Sequence, residues 1–178
     1  MEVKEDRLAF LHKRSPVLLY TAATIKETAS AVYHGIAGAT KDKHLGGKSI
    51  QKDAILVTSN PQHALSTGDV VISFYTTGKT IFAPPQFDTP EFRERAAQKY
   101  PDSESPIVSF LLLDTPNPEV LFQGFIPVNE MKSIILVGYD IEGKRTGLGQ
   151  AQHEFTPPTT FIDWYVKVYQ QKAKYRGL

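Results

Sequence analysis

A single domain mixing helices and strands is what this sequence predicts, and three observations lead there. Short apolar runs bounded by turn residues recur along the chain, at Val17–Tyr20, Ala54–Thr58, Val70–Thr76 and Ile107–Leu113, and such runs read as buried strands. Helix-start signatures stand among them, chiefly Thr24-Ile25-Lys26-Glu27 and Asn60-Pro61. Twelve glycines and twelve prolines in 178 residues supply many turns and point to a strand-rich middle. That length suits one good core and is short for two.

Taken in order, Glu5–Lys13 is predicted as a short amphipathic helix through Leu8, Phe10 and Leu11, stopped by Ser15-Pro16. Residues 1–15 thus form an N-terminal helix and 16–139 the core. Val17–Tyr20 is the first strand. In Thr24–Glu27 a threonine hydroxyl and a glutamate three residues on can each satisfy an exposed amide, opening a helix in which Ile25, Ala29, Val32 and Ile36 share a face and Gly35 is the stop. Ala37–Asp53, rich in Gly and Lys, reads as a long loop. Ala54–Thr58 is a strand, Gln62–Ser66 a short helix, and Val70–Thr76 and Thr80–Phe82 strands joined at Thr77-Gly78-Lys79.

A charged helix is expected from about Asp88 to Tyr100, and Ile107–Leu113 is expected to be a central strand. Pro118–Val137 reads as two strands joined by a short helical turn, with Glu119 at the head of the first. Residues 140–158 are expected to be irregular. The segment 159–178 is a C-terminal helix with Phe161, Trp164, Tyr165 and Val168 on one side and Lys172, Lys174 and Arg176 near its end, where cations complement the helix dipole.

Composition narrows the chemistry. A net charge of +1 argues against indiscriminate binding to nucleic acid, which needs clustered cations. The absence of cysteine removes disulfides, thiolate catalysis and cysteine zinc sites together. No apolar run approaches the roughly 20 residues that span a bilayer, and the N-terminus places acids before its apolar stretch, unlike a secretory signal; the expected compartment is a cytosol, the cell's own or a host's. The five histidines show no metal spacing, so no metal site is expected. Gly46-Gly47-Lys48-Ser49 looks like the end of a phosphate loop, but position 42 is Asp where that motif needs Gly. No Gly-x-Ser-x-Gly elbow occurs.

Three segments carry a family resemblance. They are LLYTAATIKETASAVYHGI at 18–36, DAILVTSNPQHALSTGDVVISF at 53–74, and the stretch from Glu119, EVLFQGFIPVNEMKSIILV. In order and spacing they resemble the ADP-ribosyltransferases, including toxins and effectors of that family and its DNA-targeting members. The resemblance implies an α+β fold of split, mostly antiparallel β-sheets with peripheral helices, and NAD as substrate. It further implies that Glu119 holds the nicotinamide ribose hydroxyl and stabilises the oxocarbenium-like transition state, a task suited to a carboxylate. Ser59, after Thr58, fits the Ser-type variant of the second motif and would orient the nicotinamide. Tyr20, Thr21, Thr58 and Tyr33 would line the pocket. Thr21 departs from the pattern, for the family carries a charge or a ring there.

Each residue has another reading. Glu119 after Asn117-Pro118 suits a solvated surface acid, Ser59 part of a helix cap, Tyr20 and Thr21 strand positions, and Tyr33 and His34 core or cap. Trp164, Tyr165 and Tyr169 suit either a core or a docking face. Two functions therefore remain: a mono-ADP-ribosyltransferase with a macromolecular target, protein or nucleic acid, or a non-catalytic binding or structural module. EVLFQGF also resembles the cleavage sequence of picornaviral 3C proteases, with Phe125 where Pro is usual; its place inside a strand pattern marks it as native or coincidental.

Overall fold

The computed structural model describes residues 8–10, 18–37, 43–45, 48–50, 54–66, 68–75, 80–83, 87, 89–103, 105–115, 120–123, 125–146 and 153–175. It is an α+β structure whose sheets are antiparallel wherever their pairing is resolved. The chain divides into two compact units, each assembled from three separate stretches. The first takes 1–19, 37–60 and 76–124; the second takes 20–36, 61–75 and 125–178.

In the first unit, strands β1 (Leu8–Phe10), β6 (Ala54–Val57), β8 (Thr80–Phe82) and β9 (Val120–Gln123) form a four-stranded sheet in the order β1-β8-β9-β6. β9 pairs on both sides, Leu121 lying opposite both Leu56 and Phe82. Val57, Val120 and Leu121 are buried. β4 (Lys43–Leu45) and β5 (Lys48–Ile50) make a separate two-stranded ribbon.

Helices α3 (Pro90–Lys99) and α4 (Pro106–Leu113) pack on each other, and α4 also meets β9. The Thr89 hydroxyl accepts from Phe92 N at 3.3 Å to cap α3, and a proline opens each helix where its missing N–H costs nothing. α4 buries Ile107, Val108 and Leu111 and leaves Leu113 exposed.

The second unit is built on a sheet of β2 (Leu18–Ala23, from Tyr20 onward), β7 (Val70–Tyr75), β11 (Met131–Leu136) and β12 (His153–Phe155), in the order β12-β11-β7-β2. Residues 70–74 are all buried, so both faces of β7 are covered; α1 (Ile25–His34) and α2 (Pro61–Leu65) both pack against it. At the register shift between Met131 and Ser133, the buried hydroxyls of Ser73 and Ser133 bond to each other at 2.7 Å, which satisfies two polar groups inside an apolar sheet. α1 starts as its sequence predicts: Glu27 N donates to Thr24 Oγ1 at 3.1 Å and Thr24 N to Glu27 Oε2 at 3.0 Å. Two short strands, β3 (Ile36–Ala37) and β10 (Phe125–Ile126), pair with each other. The C-terminal helix runs as α5 (Thr160–Trp164), a π-helical turn at Tyr165–Tyr169, and α6 (Gln170–Tyr175).

Four expectations are corrected. Ile107–Leu113 is helical, lying within α4, because an unbroken apolar run has no periodicity to separate strand from helix, and Ser105-Pro106 sets a helix start. Leu8–Phe10 is a strand within the region read as helix, paired with β8. The loop expected at 37–53 contains β4 and β5. The irregular 140–158 contains β12 and an isolated bridge between Tyr139 and Arg145.

The doubly paired β9 yields a prediction. A protease of the 3C type must take its substrate as an extended, unpaired strand, whereas Val120–Gln123 already bonds to β6 and β8. The folded protein is expected to survive incubation that cleaves a peptide of the same sequence, and to be cut after Gln123 once urea unfolds it, read on a gel. Cleavage of the native protein at the peptide's rate would show that β9 does not hold its place in solution.

Candidate functional site

β6 and β9 run antiparallel with Val57 opposite Val120. β6 therefore delivers Thr58 and Ser59 at the end of the sheet where β9 begins, and Val120 directly follows Glu119 in the chain. Glu119 itself lies outside the described residues. Thr58 is buried, and its Oγ1 accepts from Asn60 N at 3.1 Å, closing a local turn. Ser59 is half-buried and donates to the carbonyl of Leu112 at 3.4 Å, one of the carbonyls left unpaired at the C-terminus of α4. The hydroxyl that closes the turn is thus that of Thr58, while Ser59 ties the end of β6 to α4. Having donated its proton, the Ser59 oxygen can still accept.

The other expected pocket residues belong to the second unit. Tyr20 is half-buried against an apolar cluster of Ala64, Leu65, Val71 and Val137. Thr21 is buried in the same strand. Tyr33 stands on the outer face of α1, 66% exposed, its ring 6.3 Å from that of His34. Thr58 and Ser59 are therefore brought together at one sheet end, and Tyr20 and Thr21 lie side by side in β2.

Two further clusters stand apart from these residues. In the first unit the Asp114 carboxylate accepts from Lys99 Nζ at 2.6 Å and from the Tyr100 hydroxyl. These two bonds, Lys99 first, hold the Asp114 carboxyl below its ordinary range, and the bond to Asp114 raises the Tyr100 hydroxyl. The depressed carboxyl means that the interaction is present above the ordinary aspartate range and fades as pH falls through the lowered value. Beside them, Arg95, Gln98, Lys99 and Phe110 line a shallow open recess. The helical spacing of Arg95 and Lys99 was visible in the sequence; that Phe110 faces them required knowing that α4 is a helix.

In the second unit the rings of Tyr139, Tyr165 and Trp164 surround Tyr169 with centroids 5.6, 5.6 and 6.0 Å away. Burial, and then Tyr139, raise the Tyr169 hydroxyl above its ordinary value, with smaller contributions from Tyr165 and Asp69. Trp164 Nε1 donates to the carbonyl of Ile141 at 2.8 Å. Among the described residues no group of three or more acids and histidines is placed to hold a metal ion, and no helix is long and apolar enough to cross a membrane.

No family model, no curated protein and no solved structure matches the chain.

Proposed function

We propose that the protein is an NAD-dependent mono-ADP-ribosyltransferase that modifies a macromolecule, protein or nucleic acid, in its own or a host cytosol. One observation carries the reading: β9, which starts immediately after Glu119, begins at the sheet end where β6 delivers Thr58 and Ser59. The motif resemblance calls for a carboxylate and a hydroxyl acting together, and the sequence puts Glu119 one residue before β9. In the reaction the bond between the nicotinamide nitrogen and the ribose C1′ breaks, nicotinamide leaves with the electron pair, and a nucleophile of the target attacks C1′. Glu119 accepts a hydrogen bond from the ribose hydroxyl and offsets the positive charge that grows on the ring, while Ser59 orients the nicotinamide.

The test is transfer of label from NAD to a lysate component by the wild type and by Glu119→Gln, a substitution that keeps size and removes charge. A fall of about a hundredfold or more in the variant is expected, the loss typical of removing one electrostatic contact to a transition state. If the wild type neither binds NAD in calorimetry nor transfers label, the reading falls. The alternative, a non-catalytic binding module, is favoured by Thr21, a buried residue with neither the charge nor the ring that the family uses there, and by Tyr20, packed into an apolar cluster.

A further inference from the structure

We propose that the recess between α3 and α4 is a binding site for a nucleotide, free or within a single strand, held through its phosphate by Arg95 and Lys99 and through its base by the Arg95–Phe110 platform. Arg95, Gln98 and Lys99 are three and four residues apart, so their side chains leave α3 as one stripe. α4 supplies Phe110 opposite them. The ring of Phe110 is braced by the edge of Phe92, with centroids 5.1 Å apart at 80°, and Phe92 in turn meets Phe87 at 5.3 Å. The Arg95 guanidinium lies over Phe110, its Cζ 5.5 Å from the ring centroid. A cation held this way presents a flat, weakly hydrated face on which a base can stack, with donors at its edge for a phosphate oxygen.

The charges around the recess differ in what they can do. Arg95 forms no ion pair with a carboxylate among the described residues. Lys99 is bonded to Asp114, but its side chain is 55% exposed, and an exposed pair is weak enough for the ammonium to turn to a second anion. Arg95 is therefore the principal phosphate contact and Lys99 a partly neutralised helper. Gln98, with an amide that can both donate and accept, lines the same recess and suits the edge of a base better than it suits a bare anion.

The proposal does not depend on transferase activity, and binding can be read without turnover. Chemical shifts of the Gln98 side-chain amide and the Phe110 ring are followed while adenosine monophosphate, a short oligothymidylate, adenosine and inorganic phosphate are each added in the absence of NAD. Adenosine monophosphate or the oligothymidylate is expected to shift both signals, the first if the ligand is free, the second if it is a strand. Arg95→Ala should weaken this binding about tenfold, and Arg95→Lys should recover part of the loss. Asp114→Asn should act in the opposite sense, tightening it about threefold by releasing Lys99.

No shift with either nucleotide, equal binding of inorganic phosphate and nucleotide, or indifference to Arg95→Ala would each overturn the proposal. Glu119→Gln should leave these shifts unchanged, which separates failure here from failure of the transferase.

Discussion

Replacing Gly35 by alanine is expected to destabilise the second unit by about 3 kcal/mol or more, a cost in the upper range for single substitutions. Gly35 follows α1 with φ 79° and ψ −179°, a backbone region reserved almost wholly for glycine. A Cβ built there would clash with Cζ of Phe125 and lie 2.6 Å from the carbonyl oxygen of Ile126. The Phe125 ring is half-exposed and can turn away, but the carbonyl is backbone and cannot. Strain and clash therefore add. Urea denaturation followed by far-UV circular dichroism should show a lower midpoint at unchanged slope, and a cost below about 1 kcal/mol would mean that the helix exit differs in solution.

The second large effect is expected at Trp164, which is 5% exposed. Its ring lies 5.9 Å from Phe155, 5.6 Å from Phe161 and 6.0 Å from Tyr169, and its indole N–H satisfies the Ile141 carbonyl. It therefore ties the C-terminal helix both to β12 and to the turn after β11. Trp164→Ala should cost about 3–5 kcal/mol, a large share of a typical domain's stability. Trp164→Phe keeps most of the packing and loses the hydrogen bond, so about 1–2 kcal/mol is expected. Equal losses in the two variants would assign the whole effect to the hydrogen bond and refute the packing argument. Circular dichroism is again the readout, because Trp164 is the single tryptophan of the chain.

What could be read in the sequence was what short-range chemistry decides. Thr24 and Glu27 announced their reciprocal cap because both partners lie within one turn, and Thr89-Pro90 marked the start of α3 in the same way. The strand, turn and strand after Glu119 were legible because Gly124 and Pro127 interrupt apolar runs. Ile107–Leu113 was not, for every residue there except Ser109 is apolar, and the outcome rests on α3 covering one side of it while Leu113 stays in water. The Ser105-Pro106 pair was the available signal. The ribbon of Lys43–Leu45 and Lys48–Ile50 was missed although Gly46-Gly47, a strong hairpin pair, stands between its strands.

The site was legible as separate residues and not as a geometry. The sequence named Ser59 and Glu119, but the antiparallel register of β6 and β9, which sets the start of one strand beside the exit of the other, depends on a pairing across more than sixty positions. Tyr20 was named for a pocket and packs into an apolar cluster, because Ala64, Leu65, Val71 and Val137 come from three distant stretches that no local pattern links to it. Asp114 joins Lys99 and Tyr100 only because the turn between α3 and α4 folds back.

The interleaving of the two units has a consequence for how the protein is made. The first unit has all of its chain once Gly124 has been synthesised, whereas the second still lacks β11, β12 and the C-terminal helix. At about 5–20 residues per second, Phe125–Leu178 takes several seconds to synthesise, during which α1, α2 and β7 wait with their apolar faces uncovered. On the ribosome, this second unit is the part of the nascent chain that stays incomplete longest.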